Sequence, residues 1–153
     1  MSVYIPGSTY TKGLLGLQVS RATATLPQTT HHALFTVSGG RIALTGIIGE
    51  VTTIIQNQAN NTKLLVDPTV GTNTDICAAL NIAADEVGCL YGITGLFSDA
   101  LVGAAAGAGV LPRNLVVIPE GTIDLDCAAS NTGSVAWDMW YVPIDAGASV
   151  AAA

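Results

Sequence analysis

Two adjacent histidines, His31 and His32, and three aspartates, Asp124, Asp126 and Asp138, are the residues whose types and spacing could do chemistry. Nucleophilic catalysis needs a base beside its nucleophile, and these are the only imidazoles in the chain. Neighbouring residues on a strand point to opposite faces, so the two rings cannot act as one site; a polar surface or interface role suits them better. Asp124 and Asp126 alternate with Ile123, Leu125 and Cys127, which places both carboxylates on the outer face of one strand, with Asp138 expected on its hairpin partner. Glycoside hydrolysis would need two carboxylates facing each other across about 5–9 Å. The trio could instead offer oxygen ligands to calcium. No Asp-x-Asp-x-Asp-Gly loop sharpens that idea, and a solvated polar face that discourages strand-edge association is the plainer reading. The sequence therefore predicts no catalytic residue and no cofactor, with Asp124, Asp126 and Asp138 as weak metal candidates.

Other motifs add little chemistry. The glycines lack both the Gly-Lys-Ser/Thr ending of a phosphate loop and the Gly-x-Gly-x-x-Gly register of a dinucleotide fold. Cys77, Cys89 and Cys127 are odd in number and scattered, which fits small buried hydrophobes with free thiols in a reducing compartment. Asn60-Asn61-Thr62 is a formal glycosylation sequon without an export signal to give it meaning. Asp67-Pro68 and Asp85-Glu86 read as charged turns. Trp137 and Tyr141 share an apolar face and belong in a core. Trp140 falls on the polar face, where a large aromatic is an interface anchor more often than a sugar platform.

These side chains must be positioned by strands. Apolar or β-branched runs bounded by turn residues recur at 17–26, 31–37, 41–46, 49–56 and 62–66. Over 74–82 a strand is preferred, because the flanks repeat the same spacing, with a short helix capped by Asp75 as the alternative. Leu115–Ile118, a Pro-Glu-Gly turn, Thr122–Cys127 and Val135–Tyr141 predict a three-strand meander whose last two strands form an antiparallel hairpin. Val87–Leu111 has the length of a membrane span and a single charge, Asp99, but its glycines and that carboxylate favour a buried or interface-forming Gly/Ala loop with short strands. The expected fold class is all-β: an antiparallel β-sandwich, jelly roll or barrel. Its expected divisions are an extended N-terminal arm (1–13), a single β domain (14–145) and a flexible or partner-packed tail (146–153). Tyr4, Ile5 and Tyr10 in the arm join Trp140 as expected interface residues.

Composition points to assembly. Of 153 residues, 10% are charged and half are apolar, with mean hydropathy +0.52. A free domain of this size normally carries about a quarter charged residues. Scarce Lys and Glu is a mark of interface cores. The net charge of −6 removes the basic stripe that nucleic acid requires. The N-terminus has neither a basic nor an apolar leader region, so no signal peptide is predicted.

Gly49-Glu-Val-Thr-Thr-Ile-Ile-Gln-Asn, Gly121-Thr-Ile-Asp-Leu and Asn131-Thr-Gly-Ser-Val-Ala-Trp-Asp-Met-Trp-Tyr-Val-Pro-Ile-Asp resemble segments of small virion proteins of tailed bacteriophages, nearest to capsid decoration (cement) proteins. That resemblance implies a β-rich, non-catalytic subunit, a homotrimer or dimer. It would sit on the capsid surface, bridge major capsid protein subunits and assemble in the host cytoplasm. It carries over no functional residues. The competing expectation is a carbohydrate- or receptor-binding β-sandwich of a tail fibre or surface protein, using an aromatic and acidic cluster near Trp140 and Asp138.

Overall fold

In the computed structural model, which describes residues 7–104 and 107–153, alternating apolar side chains are buried between two antiparallel sheets. The elements in chain order are α1 (Gly7–Leu15), β1 (Leu17–Thr25), β2 (Gln28–Ser38), β3 (Ile42–Thr53), β4 (Asn61–Pro68), β5 (Thr74–Asp75) and β6 (Leu80–Asn81). They continue as β7 (Leu90–Gly92), β8 (Val102–Ala104), β9 (Val116–Ile118), β10 (Gly121–Ser130), β11 (Ser134–Pro143) and β12 (Ser149–Ala152). The first sheet runs β1-β11-β3-β7-β8, with β9 also on β3; the second runs β12-β2-β10-β4-β5, with β6 also on β4. The fold is a β-sandwich, and neither sheet closes into a barrel.

The centre of the core is aromatic. In register across the first sheet, Gly49 of β3 lies between Trp137 of β11 and Tyr91 of β7. The two rings stack with centroids 6.4 Å apart, and both residues are buried. A Cβ on Gly49 would sit 2.7 Å from Trp137 Cη2, so the missing side chain is what admits the indole. Ile123, Leu125 and Cys127 of β10 and Leu34, Phe35 and Val37 of β2 close the core from the other sheet. On β2 a bulge opposite Ile123 and Asp124 turns two successive residues, Leu34 and Phe35, into the interior.

Several expectations need correction. β10 and β11 are not a hairpin: β10 pairs β2 and β4, whereas β11 pairs β1 and β3. The link between them crosses from sheet to sheet, pinned by Asn131 Nδ2 donating to the Gln58 carbonyl at 2.7 Å and by Leu26 N donating to the Gly133 carbonyl at 3.2 Å. β9 joins the first sheet while β10 lies in the second, so the meander is absent as well. Alternation dictates which face of a strand is buried but not which strand lies beside it. The runs at 41–46 and 49–56 are largely one strand, β3, because Gly46 and Gly49 make room for tryptophans instead of turning the chain.

The terminal expectations also change. Residues 7–13 of the expected arm belong to α1; Tyr4 and Ile5 lie outside the described residues. Gly16, left-handed at φ +88, ends this helix by donating to the Lys12 carbonyl, and Thr45 Oγ1 donates to the Leu15 carbonyl. Those tertiary and capping contacts override the poor helix propensity of a Gly/Ser/Thr stretch. The tail is β12, paired through Val150 with Val37 on β2 rather than loose. Over 74–82 the chain forms two short strands, and Val87–Leu111 contributes β7 and β8 joined by loop, with Ile93 and Leu101 in the core. No described helix is long and apolar enough to cross a membrane.

Arg41 clasps the turn that leads into β12. Its Nε and Nη2 donate to the two oxygens of Asp145 at 2.8 Å each, and its backbone N also donates to Oδ2. The guanidinium holds the Asp145 carboxyl well below its ordinary range. A carboxyl depressed by folding contributes stability above its unfolded pKa of about 3.9, lost as pH falls toward the lower folded value. Acid should therefore release β12 first: amide exchange at 149–152 is expected to rise at low pH, and Asp145→Asn should produce the same rise at neutral pH. Gly49→Ala should lower stability by about 1–3 kcal/mol through overpacking against Trp137, read as a fall in the urea midpoint.

Candidate functional site

The expected Asp124, Asp126 and Asp138 trio does not form, because β10 and β11 lie in opposite sheets with their polar residues on opposite outer faces. Asp138, on the first sheet, accepts hydrogen bonds from Ser20 Oγ and from Gln18 Nε2, the latter at 3.2 Å. Asp126, on the second, lies 3.8 Å from Lys63 Nζ, whose closer partner is Asp75 at 2.7 Å. Asp124 stands apart. Its backbone is opposite Ala33 on β2 and Leu65 on β4, so apolar side chains flank it and it is only 3% exposed.

His31 and Asp67 complete a cluster that sequence reasoning missed. His31 sits opposite Asp126, and Asp67 opposite Thr122, one two-residue step to either side of Asp124. A ring nitrogen of His31 and one carboxylate oxygen each of Asp67 and Asp124 lie within 4.8 Å of one another. His31 Nδ1 is 2.6 Å from Asp124 Oδ2, and this hydrogen bond raises the imidazole above its ordinary pKa against the opposing effect of burial. Asp124 Oδ1 is buried and has no partner among the described residues. In sequence Asp67 reads as turn chemistry, and alternation alone separates His31 from His32. Their convergence depends on strand order, which no local pattern encodes. As expected, the two histidines point to opposite faces: His32 lines a small cavity with Leu34, Leu125 and Trp137.

The outer face of the first sheet is different in kind. Trp140 and Leu111 converge over Gly46, where a Cβ would lie 3.0 Å from Trp140 Cε3 and 3.2 Å from Leu111 Cδ2. Trp140 is thus half-buried, with its indole N–H enclosed and without a partner among the described residues, rather than a freely exposed anchor. One row along, Val142, Ala43 and Val117 stand side by side on β11, β3 and β9. Val117 is 57% and Val142 45% exposed, and Leu115 and Leu111 add to the apolar surface nearby. Tyr10 falls within α1.

The remaining motifs are structural. Cys77, Cys89 and Cys127 are free and buried, and burial pushes the Cys77 and Cys127 thiols up, which suits inert packing. Asn60 of the sequon is buried, exchanging hydrogen bonds with the Ala129 backbone at 3.2 and 3.1 Å. Tyr91 donates to Asp85 Oδ2 at 2.6 Å, which accounts for a charged turn beside the aromatic core. Compared with known proteins, the chain matches no family model, no curated protein and no solved structure.

Because Leu111 shares the space over Gly46 with Trp140, Leu111→Ala should uncover the indole. The expected result is a red-shifted emission and stronger acrylamide quenching from Trp140, with Trp137 unaffected. Fluorescence of Trp140→Phe and Trp137→Phe backgrounds separates the two.

Proposed function

We propose that this chain is a non-catalytic structural subunit of a bacteriophage virion, of the capsid decoration type, which bridges major capsid protein subunits on the outside of the shell. The observation that carries this reading is the apolar row Val142–Ala43–Val117 with Trp140 and Leu111 on the outer face of the first sheet. Cross-strand apolar pairs add modestly to a sheet on their own, but half-exposed ones aligned over three strands gain most when a partner covers them, which suits a protein that works by burying area against several subunits. Charge at only 10% of positions and a pI near 4.4 fit a surface that is partly covered and does not bind nucleic acid. Self-association into a trimer or dimer would multiply weak contacts into firm attachment.

The carbohydrate- or receptor-binding alternative draws less support. It calls for an open aromatic beside a free acid, and here Trp140 is half-covered while Asp138 is engaged by Ser20 and Gln18.

Light scattering of the purified chain should give two or three times the 15.5 kDa of one chain, and the chain should bind undecorated capsid shells. Val117→Lys with Val142→Lys should abolish one or both while preserving the circular dichroism spectrum. A chain that stays monomeric and shows no affinity for shells overturns the reading.

A further inference from the structure

We propose that His31, Asp67 and Asp124 form a binding site for a first-row transition-metal dication of the zinc class on the outer face of the second sheet. Three adjacent strands, β2, β10 and β4, present the side chains from a hydrogen-bonded backbone, so the site is built on rigid elements rather than on a loop. The donor atoms already lie within 4.8 Å of one another. Ligands on a tetrahedral zinc ion at bond lengths of about 2.0–2.1 Å sit about 3.3 Å apart, a change that rotation of His31 and Asp67, both partly exposed, can supply.

A second, independent observation points to a ligand. The Asp124 side chain is only 5% exposed, and its Oδ1 has no hydrogen-bond partner among the described residues. A buried carboxylate oxygen left unpaired is costly, and a cation removes that cost. The metal takes the place of the proton between His31 and Asp124, which is released to solvent, and the two carboxylates then balance its double positive charge beside a neutral imidazole. The imidazole sets the class, since calcium and magnesium take oxygen donors while nitrogen with carboxylate suits zinc and its neighbours. The His31 side chain is 40% exposed, so the site is closed toward the core and open to solvent, where water completes the coordination. Other charged groups nearby do not fill it: Lys63 is directed to Asp75 and Asp126. The proposal is independent of the assembly reading, because a lone chain holds all three donors.

The test uses the intact chain, dialysed against chelator and titrated calorimetrically with zinc chloride, then with calcium chloride. Expected are saturable one-to-one zinc binding with a Kd on the order of 10 μM or tighter and no heat from calcium. Asp67→Asn and His31→Gln should each weaken zinc binding by more than about tenfold, with the urea midpoint confirming that the variants fold. Cobalt(II) absorption of the unaltered chain should lack a thiolate charge-transfer band, which excludes the cysteines and decides the matter should a variant fail to fold. Absence of saturable zinc binding, indifference to both substitutions, a thiolate band or equal binding of calcium would each overturn the proposal.

Discussion

The sandwich is organised around the absence of a side chain at Gly49. Trp137 and Tyr91 approach from strands on either side of β3, and their rings meet over that glycine. Tyr91 is anchored in turn by Asp85, so β7 and the turn before it are positioned through the same stack. A large aromatic can fill the space between two sheets only where a neighbour yields volume, since interiors pack as densely as organic crystals. Register therefore follows from shape complementarity as much as from hydrogen bonding.

The same device operates on the other side of the first sheet, with a different outcome. Gly46 faces outward and receives Trp140 and Leu111, so the second tryptophan is held against the sheet instead of projecting from it. This leaves an apolar patch around Val142 and Val117 on that face. The second sheet turns charge outward: His31, Asp67, Asp124, Asp126 and Lys63 share that face. The outer face of the first sheet thus combines an apolar patch with the polar Gln18, Ser20 and Asp138, whereas that of the second gathers charge, a distribution that average composition conceals.

Strand edges are also managed. β12 pairs along β2 and is tied by the Arg41–Asp145 clasp, and Tyr141 accepts from Val150 N at 3.3 Å, which links the last strand to the first sheet. A segment that looks inert in sequence covers part of the β2 edge and becomes the short outer strand of its sheet.

By itself the sequence determined an antiparallel all-β fold, because period-two alternation in segments such as Ile123–Cys127 and Val135–Tyr141 leaves one face that must be buried; sandwich, jelly roll and barrel all satisfy that demand, and the tertiary structure chose the sandwich. It also determined that Trp137 and Tyr141 are core, that His31 and His32 part company and that the cysteines are buried thiols. One longer-range relation was present but easily overlooked: Gly46-x-x-Gly49 repeats the spacing of Trp137-x-x-Trp140, and in the antiparallel register each glycine meets one tryptophan. Only the tertiary structure decided strand order, and with it the separation of Asp138 from Asp124 and the meeting of Asp124 with His31 and Asp67. The reason is physical: burial of an alternating face is equally satisfied in either sheet, so the choice rests on contacts such as those of Asn131 and Gly133 that join residues distant in the chain.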